Sequence, residues 1–245
     1  MGPDVHWREA SEIRTRFRRS NRARETRSIY TSGYVATVLA ALPLGLVFGL
    51  LQAAISAMQG YSTRASSIGI GIVGGMLGAA YITNVVAAVV FPLFGFIQWM
   101  GRLSAFRTII VGCAGGWCGF IVPVLASLIS DELPGFAFAF PAMLGGQAAA
   151  GWAARREAAR LRRFKNAAIW MDPADKVSLR QIFGIMTAIA VTAAALSLVP
   201  IPENVLLACL AAALLQGAIV ALYLVIRRKI RVGEPTLEIV EFEDD

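Results

Sequence analysis

Residues 67–91 read SIGIGIVGGMLGAAYITNVVAAVVF, twenty-five positions without one charged side chain. As a helix rising 1.5 Å per residue the stretch would be about 37 Å long, more than the roughly 30 Å hydrocarbon core of a bilayer. A helix apolar on every side has no polar face to offer water, so lipid is its solvent. Working outward, five further runs of the same kind cover 34–58, 108–130, 136–154, 179–199 and 205–226. The expected fold is therefore all-α: a polytopic membrane protein with six transmembrane helices. Bulk composition points the same way, because 57% of the 245 residues are hydrophobic and mean hydropathy is +0.63, outside the range of soluble domains.

Prolines and short polar segments divide the spans. Pro43 is expected to bend the first, Pro92 to end or kink the second before the aromatic stretch 94–99, and Pro200 and Pro202 to separate the fifth from the sixth. Asp131-Glu132-Leu133-Pro134-Gly135 forms a turn ahead of the short fourth span, which contains Pro141. Beyond that span, Arg155 to Lys165 should continue as helix outside the membrane. Asp172-Pro173-Ala174-Asp175 has the pattern of a new helix start, with Asp172 as N-cap and proline at N1.

The charge distribution sets an orientation. Residues 1–29 form a basic arm with eight arginines, 30–231 the membrane domain and 232–245 an acidic tail. With the arm inside, 22 of the 23 basic residues lie on one face and only Arg64 lies on the other. The positive-inside rule then puts both termini in the cytoplasm, as in a bacterial-type inner membrane. The run after the arm is too long for the apolar part of a cleavable signal and reads as a signal anchor. Arg18-Arg19 lacks the apolar stretch of a twin-arginine signal, and no lipidation motif is visible.

Intramembrane charge usually marks ion, proton or voltage pathways, and no Asp, Glu, Lys, Arg or His lies deep in a span. Ser127 and Ser197 have no base at membrane depth, and His6, the only histidine, sits in the arm. Cys113, Cys118 and Cys209 lack metal-site spacing and read as small packing residues. No metal or cofactor is expected, and the chain reads as non-enzymatic. The polar side chains left in the spans are Gln52, Tyr81, Thr83, Asn84, Gln98, Gln147 and Gln216. Interhelical hydrogen bonding accounts for them; the sharper alternative is that Asn84, Gln147 and Gln216 line a polar cavity for an uncharged solute.

Glycine carries the packing expectation. Gly74, Gly75 and Gly78 in span two, Gly112, Gly115, Gly116 and Gly119 in span three, and Gly145 and Gly146 in span four include several pairs four residues apart. That small-xxx-small spacing lets backbones approach. Spans two, three and four are thus expected to form a tight sub-bundle meeting at the bilayer midplane near Gly78, Gly119 and Gly145. The alternative is that these glycines, with Pro123 and Pro141, mark interrupted helices that bind a substrate through freed backbone groups.

On the cytoplasmic face, Trp7, Ala10, Ile13 and Phe17 would share one side of a basic amphipathic helix lying on anionic headgroups. Arg18, Arg19, Arg155, Arg156, Arg162, Arg163, Arg227 and Arg228 are the candidate contacts to anionic lipid or to a partner, although a topology determinant with a solvated face would account for them without any further function. The clusters lack the interleaved aromatics of a stacking platform, which argues against nucleic acid. The tail contains TLEIVEF at 236–242, suited to a short strand or a solvated segment. Two roles fit these features. The favoured one is a non-enzymatic subunit or scaffold that contacts other membrane-protein subunits within the lipid bilayer; the other is a transporter or channel for a small uncharged solute.

Overall fold

The computed structural model describes residues 4–60, 65–101, 106–129, 135–164 and 203–232, with side chains over 23–60, 68–100, 106–127, 138–161 and 203–226. Every secondary-structure element in this set is an α-helix: α1 Asp4–Met58, α2 Ala65–Gly101, α3 Arg107–Ile129, α4 Gly135–Phe164 and α5 Glu203–Val232. Four of them, α1, α2, α3 and α5, contain stretches long and apolar enough to cross a membrane. By composition the chain is a multi-pass membrane protein. The exception is α4, whose glycine- and alanine-rich apolar part runs into arginines after Ala154. The expected fifth span, the helix start at Asp172 and the strand-forming tail lie outside the described residues.

Two boundaries differ from expectation. The arm and the first span form one 55-residue helix instead of a surface helix followed by a span. No glycine or proline occurs between Asp4 and Ser32 to allow a change of direction, so the helix propagates from lipid into the basic segment. Likewise α2 runs through Pro92 to Gly101. Proline removes one ladder hydrogen bond, but membrane helices tolerate the loss when local backbone adjustments or side chains satisfy the freed carbonyl. The aromatic stretch is consequently helical and extends the second span by more than two turns. At the other end of α1, Gly60 takes φ +78°, a left-handed conformation open to glycine, and its N–H donates to Ala57 O at 3.1 Å.

Helix directions follow from cross-helix pairs. Tyr30 meets Gln98 and Gly45 meets Gly75, so α1 and α2 are antiparallel. Arg107 at the start of α3 pairs with Glu25, while Glu157 near the end of α4 accepts from Ser28. Phe48 and Phe138 make an edge contact at the opposite end. The α5 helix runs parallel to α4: Val205 joins Ala139 and Met143 in one cluster, and Tyr223 lies under Arg155. The chain therefore leaves α4 at the basic end and enters α5 at the other.

Instead of the expected grouping of spans two, three and four, α1 forms the hub. It packs against α2, α4 and α3, and the most extensive single interface is between α3 and α4. The core is thin and rich in small residues: Ile29, Ala87, Val90, Phe91, Val111, Ala114 and Ala150 near the basic end, and Phe120, Val124, Ala139, Met143 and Val205 toward the other. Large apolar side chains such as Leu39, Ile70, Leu77 and Leu214 point outward, as they must when the surrounding solvent is hydrocarbon.

Candidate functional site

The glycine positions separate into contact and open sets. A Cβ on Gly119 would fall inside the contact radius of Ala142 O, and one on Gly146 would overlap Gly115 O. A Cβ on Gly115 would sit 2.6 Å from Gly146 O, and Gly112 faces Gly151. All line the α3–α4 seam; at Gly115, Gly119 and Gly146 only hydrogen at Cα permits the observed separation, whereas a Cβ on Gly112 would make ordinary contact at 3.5 Å. Gly75 backs onto α1, 2.9 Å from Gly45 O to a built Cβ. By contrast Gly74, Gly78 and Gly145 have nothing within 4 Å of where a Cβ would stand. The midplane meeting of Gly78, Gly119 and Gly145 is therefore not formed: only Gly119 touches a neighbouring backbone, while Gly78 faces a hollow that Gly119 also borders and a Cβ on Gly145 would meet open space. Three contact glycines of α1, Gly33, Gly45 and Gly49, were not among the candidates, although the four-residue spacing of Gly45 and Gly49 carried the same signal.

Polar side chains tie the helices at several levels. Tyr30 Oη donates to Gln98 Oε1 at 2.5 Å, joining α1 to the segment of α2 beyond Pro92. Tyr34 Oη donates to Asn84 Oδ1, which removes Asn84 from the expected trio. Gln147 and Gln216 do come together around Gly116: a Cβ on Gly116 would lie 2.5 Å from Gln216 Nε2 and 3.2 Å from Gln147 Cβ. Gln216 Nε2 donates to Cys113 O at 3.0 Å, whereas Gln147 Oε1 is buried with no hydrogen-bond partner among the described residues. Replacing Tyr30 by phenylalanine or Gln98 by leucine should each lower stability by about 0.6 kcal/mol, the mean for such bonds in membrane proteins. In a double-mutant cycle the two losses should not add; additive losses would mean that the bond contributes nothing.

Two hollows lie between these helices. The first, about 330 Å³, is enclosed by α1, α2, α3 and α4 and bounded by Gly74, Gly78, Gly119 and Pro123. Its hydroxyls are Thr37, Thr83 and Ser127; Thr37 donates to Gly33 O and Ser127 to Val124 O, each at 2.8 Å. The second is a wider groove of about 920 Å³ between α3, α4 and α5, floored by Gly112, Gln147 and Gly151. Arg155 lies 5.5 Å above the Tyr223 ring at its basic end, and Arg156 lies 5.3 Å above Trp152. These are cation–π distances, so both guanidiniums are held against aromatic rings.

Of the other basic candidates, Arg18 and Arg19 lie on α1, Arg162 and Arg163 on the last turn of α4, and Arg227 and Arg228 near the end of α5; their side chains are outside the described set. Sequence reasoning missed the half-buried pair of Glu25 and Arg107, 3.5 Å apart. Glu157, which also lies 3.8 Å from Arg160, was likewise missed. The signal available was an acid in an arm otherwise dominated by arginine. Comparison with known proteins finds no matching family, no matching curated protein and no matching solved structure.

Proposed function

We propose that this protein is a non-enzymatic subunit or scaffold of a larger membrane assembly, crossing a bacterial-type inner membrane six times with both termini in the cytoplasm. The observation that carries this reading is the unbroken passage of α1 from the bundle into the basic arm. From Glu25, which pairs with α3, the helix continues outward for 21 residues to Asp4, about 32 Å at 1.5 Å per residue. A charged helix continuous with the bundle is suited to bridging toward a partner. The interior supports the same reading. The hollow among α1–α4 offers hydroxyls of which two are already donated to backbone carbonyls, whereas a polar solute needs converging free donors and acceptors. Orientation is supported by the gathering of Arg107, Arg155, Arg156 and Arg160 at the end of the bundle from which the arm emerges.

The transporter reading retains one specific observation, the unpartnered Gln147 Oε1 beside Gln216. Gentle-detergent purification from the native membrane, followed by native mass spectrometry, tests the choice. The scaffold reading expects a companion subunit in fixed ratio, lost when Arg18 and Arg19 are both replaced by glutamine in the full chain. Isolation without a companion, together with faster swelling of reconstituted vesicles in glycerol or urea, would overturn it in favour of the transporter.

A further inference from the structure

Two helices consecutive among the described elements, α4 and α5, run in the same direction. The polypeptide leaves α4 at Phe164, past the arginines, and re-enters at Glu203, next to the end where Val205 packs on Ala139. Thirty-eight residues separate these points, and they must return from one end of the bundle to the other. Within them, 179–199 has Arg180 as its only charge and as a helix would be about 31 Å long, enough to recross the hydrocarbon core. The groove between α3, α4 and α5 is the vacancy beside that route. Its apolar walls are supplied by Ile109, Leu144, Ala148, Ile219 and Val220, and α5 otherwise touches α3 and α4 only sparingly.

We infer that this groove is the seat of residues 179–199, entering beside Arg155 and running antiparallel to α4 and α5. The inference rests on the six-crossing topology proposed above and adds the place of the fifth crossing. Gln147 Oε1, buried with no hydrogen-bond partner among the described residues, gives the register. Gln147 lies eight residues inward from Arg155, about 12 Å. Arg180 placed at the level of Arg155 brings Thr187, seven residues inward, to nearly the same depth. The Thr187 hydroxyl then donates to Gln147 Oε1, and the groove holds a helix of this chain instead of a solute or a lipid.

Paired cysteines test this in a chain whose natural cysteines are replaced by alanine. Gln147→Cys with Thr187→Cys should form an intramolecular cross-link on mild oxidation, because a disulfide requires Cα atoms within about 7 Å. Gly78→Cys with Thr187→Cys should not. Single cysteines at Asp172 and Asn204, probed with a membrane-impermeant maleimide, should label from opposite faces. Labelling from one face overturns the six-crossing topology itself. Opposite labelling without the 147–187 link, or a link only between two copies, leaves the topology standing and overturns the groove assignment. A photoreactive residue at Thr187 in the otherwise natural chain provides a second readout that survives failure of the cysteine-free chain to assemble. Adducts on 144–152 or 219–223 are expected; adducts on lipid alone overturn the assignment.

Discussion

Gly119→Leu should abolish assembly of α3 against α4, and Gly119→Ala should already be costly. The atom in the way is Ala142 O, a backbone oxygen of a helix that is itself held by Gly146 against Gly115. It cannot rotate aside as a side chain would. Overpacking a tight core by even one methyl typically costs about 1–3 kcal/mol. The four-carbon side chain of leucine must instead push apart the most extensive interface among the described helices. Gly78→Ala is the matched control, since nothing stands within 4 Å of its added methyl. In gentle detergent, the leucine variant should lose its monodisperse elution peak. Gly119→Ala should melt well below the parent, and Gly78→Ala should melt with it. Equal melting of the two alanine variants would show that backbone approach at Gly119 is not limiting.

Arg107→Ala should be the most damaging single change at the basic end of the bundle. Arg107 and Glu25 keep only 12% and 16% of their side-chain surface exposed, so removing the cation leaves a carboxylate in a partly desolvated position on α1. Breaking a fully buried pair typically costs about 3–5 kcal/mol; at this exposure a loss of roughly 2 kcal/mol is expected on the same principle. Arg107→Gln combined with Glu25→Gln should recover part of that loss, because the second change removes the charge that Arg107 faced. Unfolding in detergent, measured for both single variants and the double, checks the sign. A double variant worse than either single would mean that the pair does not couple α1 to α3.

The sequence was most informative where charge brackets an apolar run. Arg107 and Asp131 enclose the third span, and α3, Arg107–Ile129, begins and ends within a residue of the expected 108–130. It misled where a rule learned in water was carried into lipid. Pro92 would usually stop a soluble helix, but in hydrocarbon the alternative to helix is unsatisfied backbone, and α2 continues. The arm posed a related problem: its arginines suggested a separate surface element, whereas continuity is set by local backbone propensity, and nothing between Asp4 and Ser32 interrupts it.

For the candidate site, spacing revealed that glycines would matter but not which ones. The adjacent glycines of α2 point about 100° apart on a helix of 3.6 residues per turn. Gly75 therefore meets the α1 backbone, whereas a Cβ on Gly74 would have nothing within 4 Å. Polar partners were equally hidden, since Asn84 finds Tyr34 fifty residues away and Gln216 finds the Cys113 carbonyl from 103 residues away. Such pairings are fixed by which faces meet, and that depends on the whole bundle.

The central place of α1 has a consequence for biosynthesis. Proteins are made from the N-terminus onward, so the helix that touches α2, α3 and α4 is translated before any of them. Each later helix of the described set can thus pack, as it emerges, on one already made. Nascent-chain intermediates would then never have to search for one another pairwise.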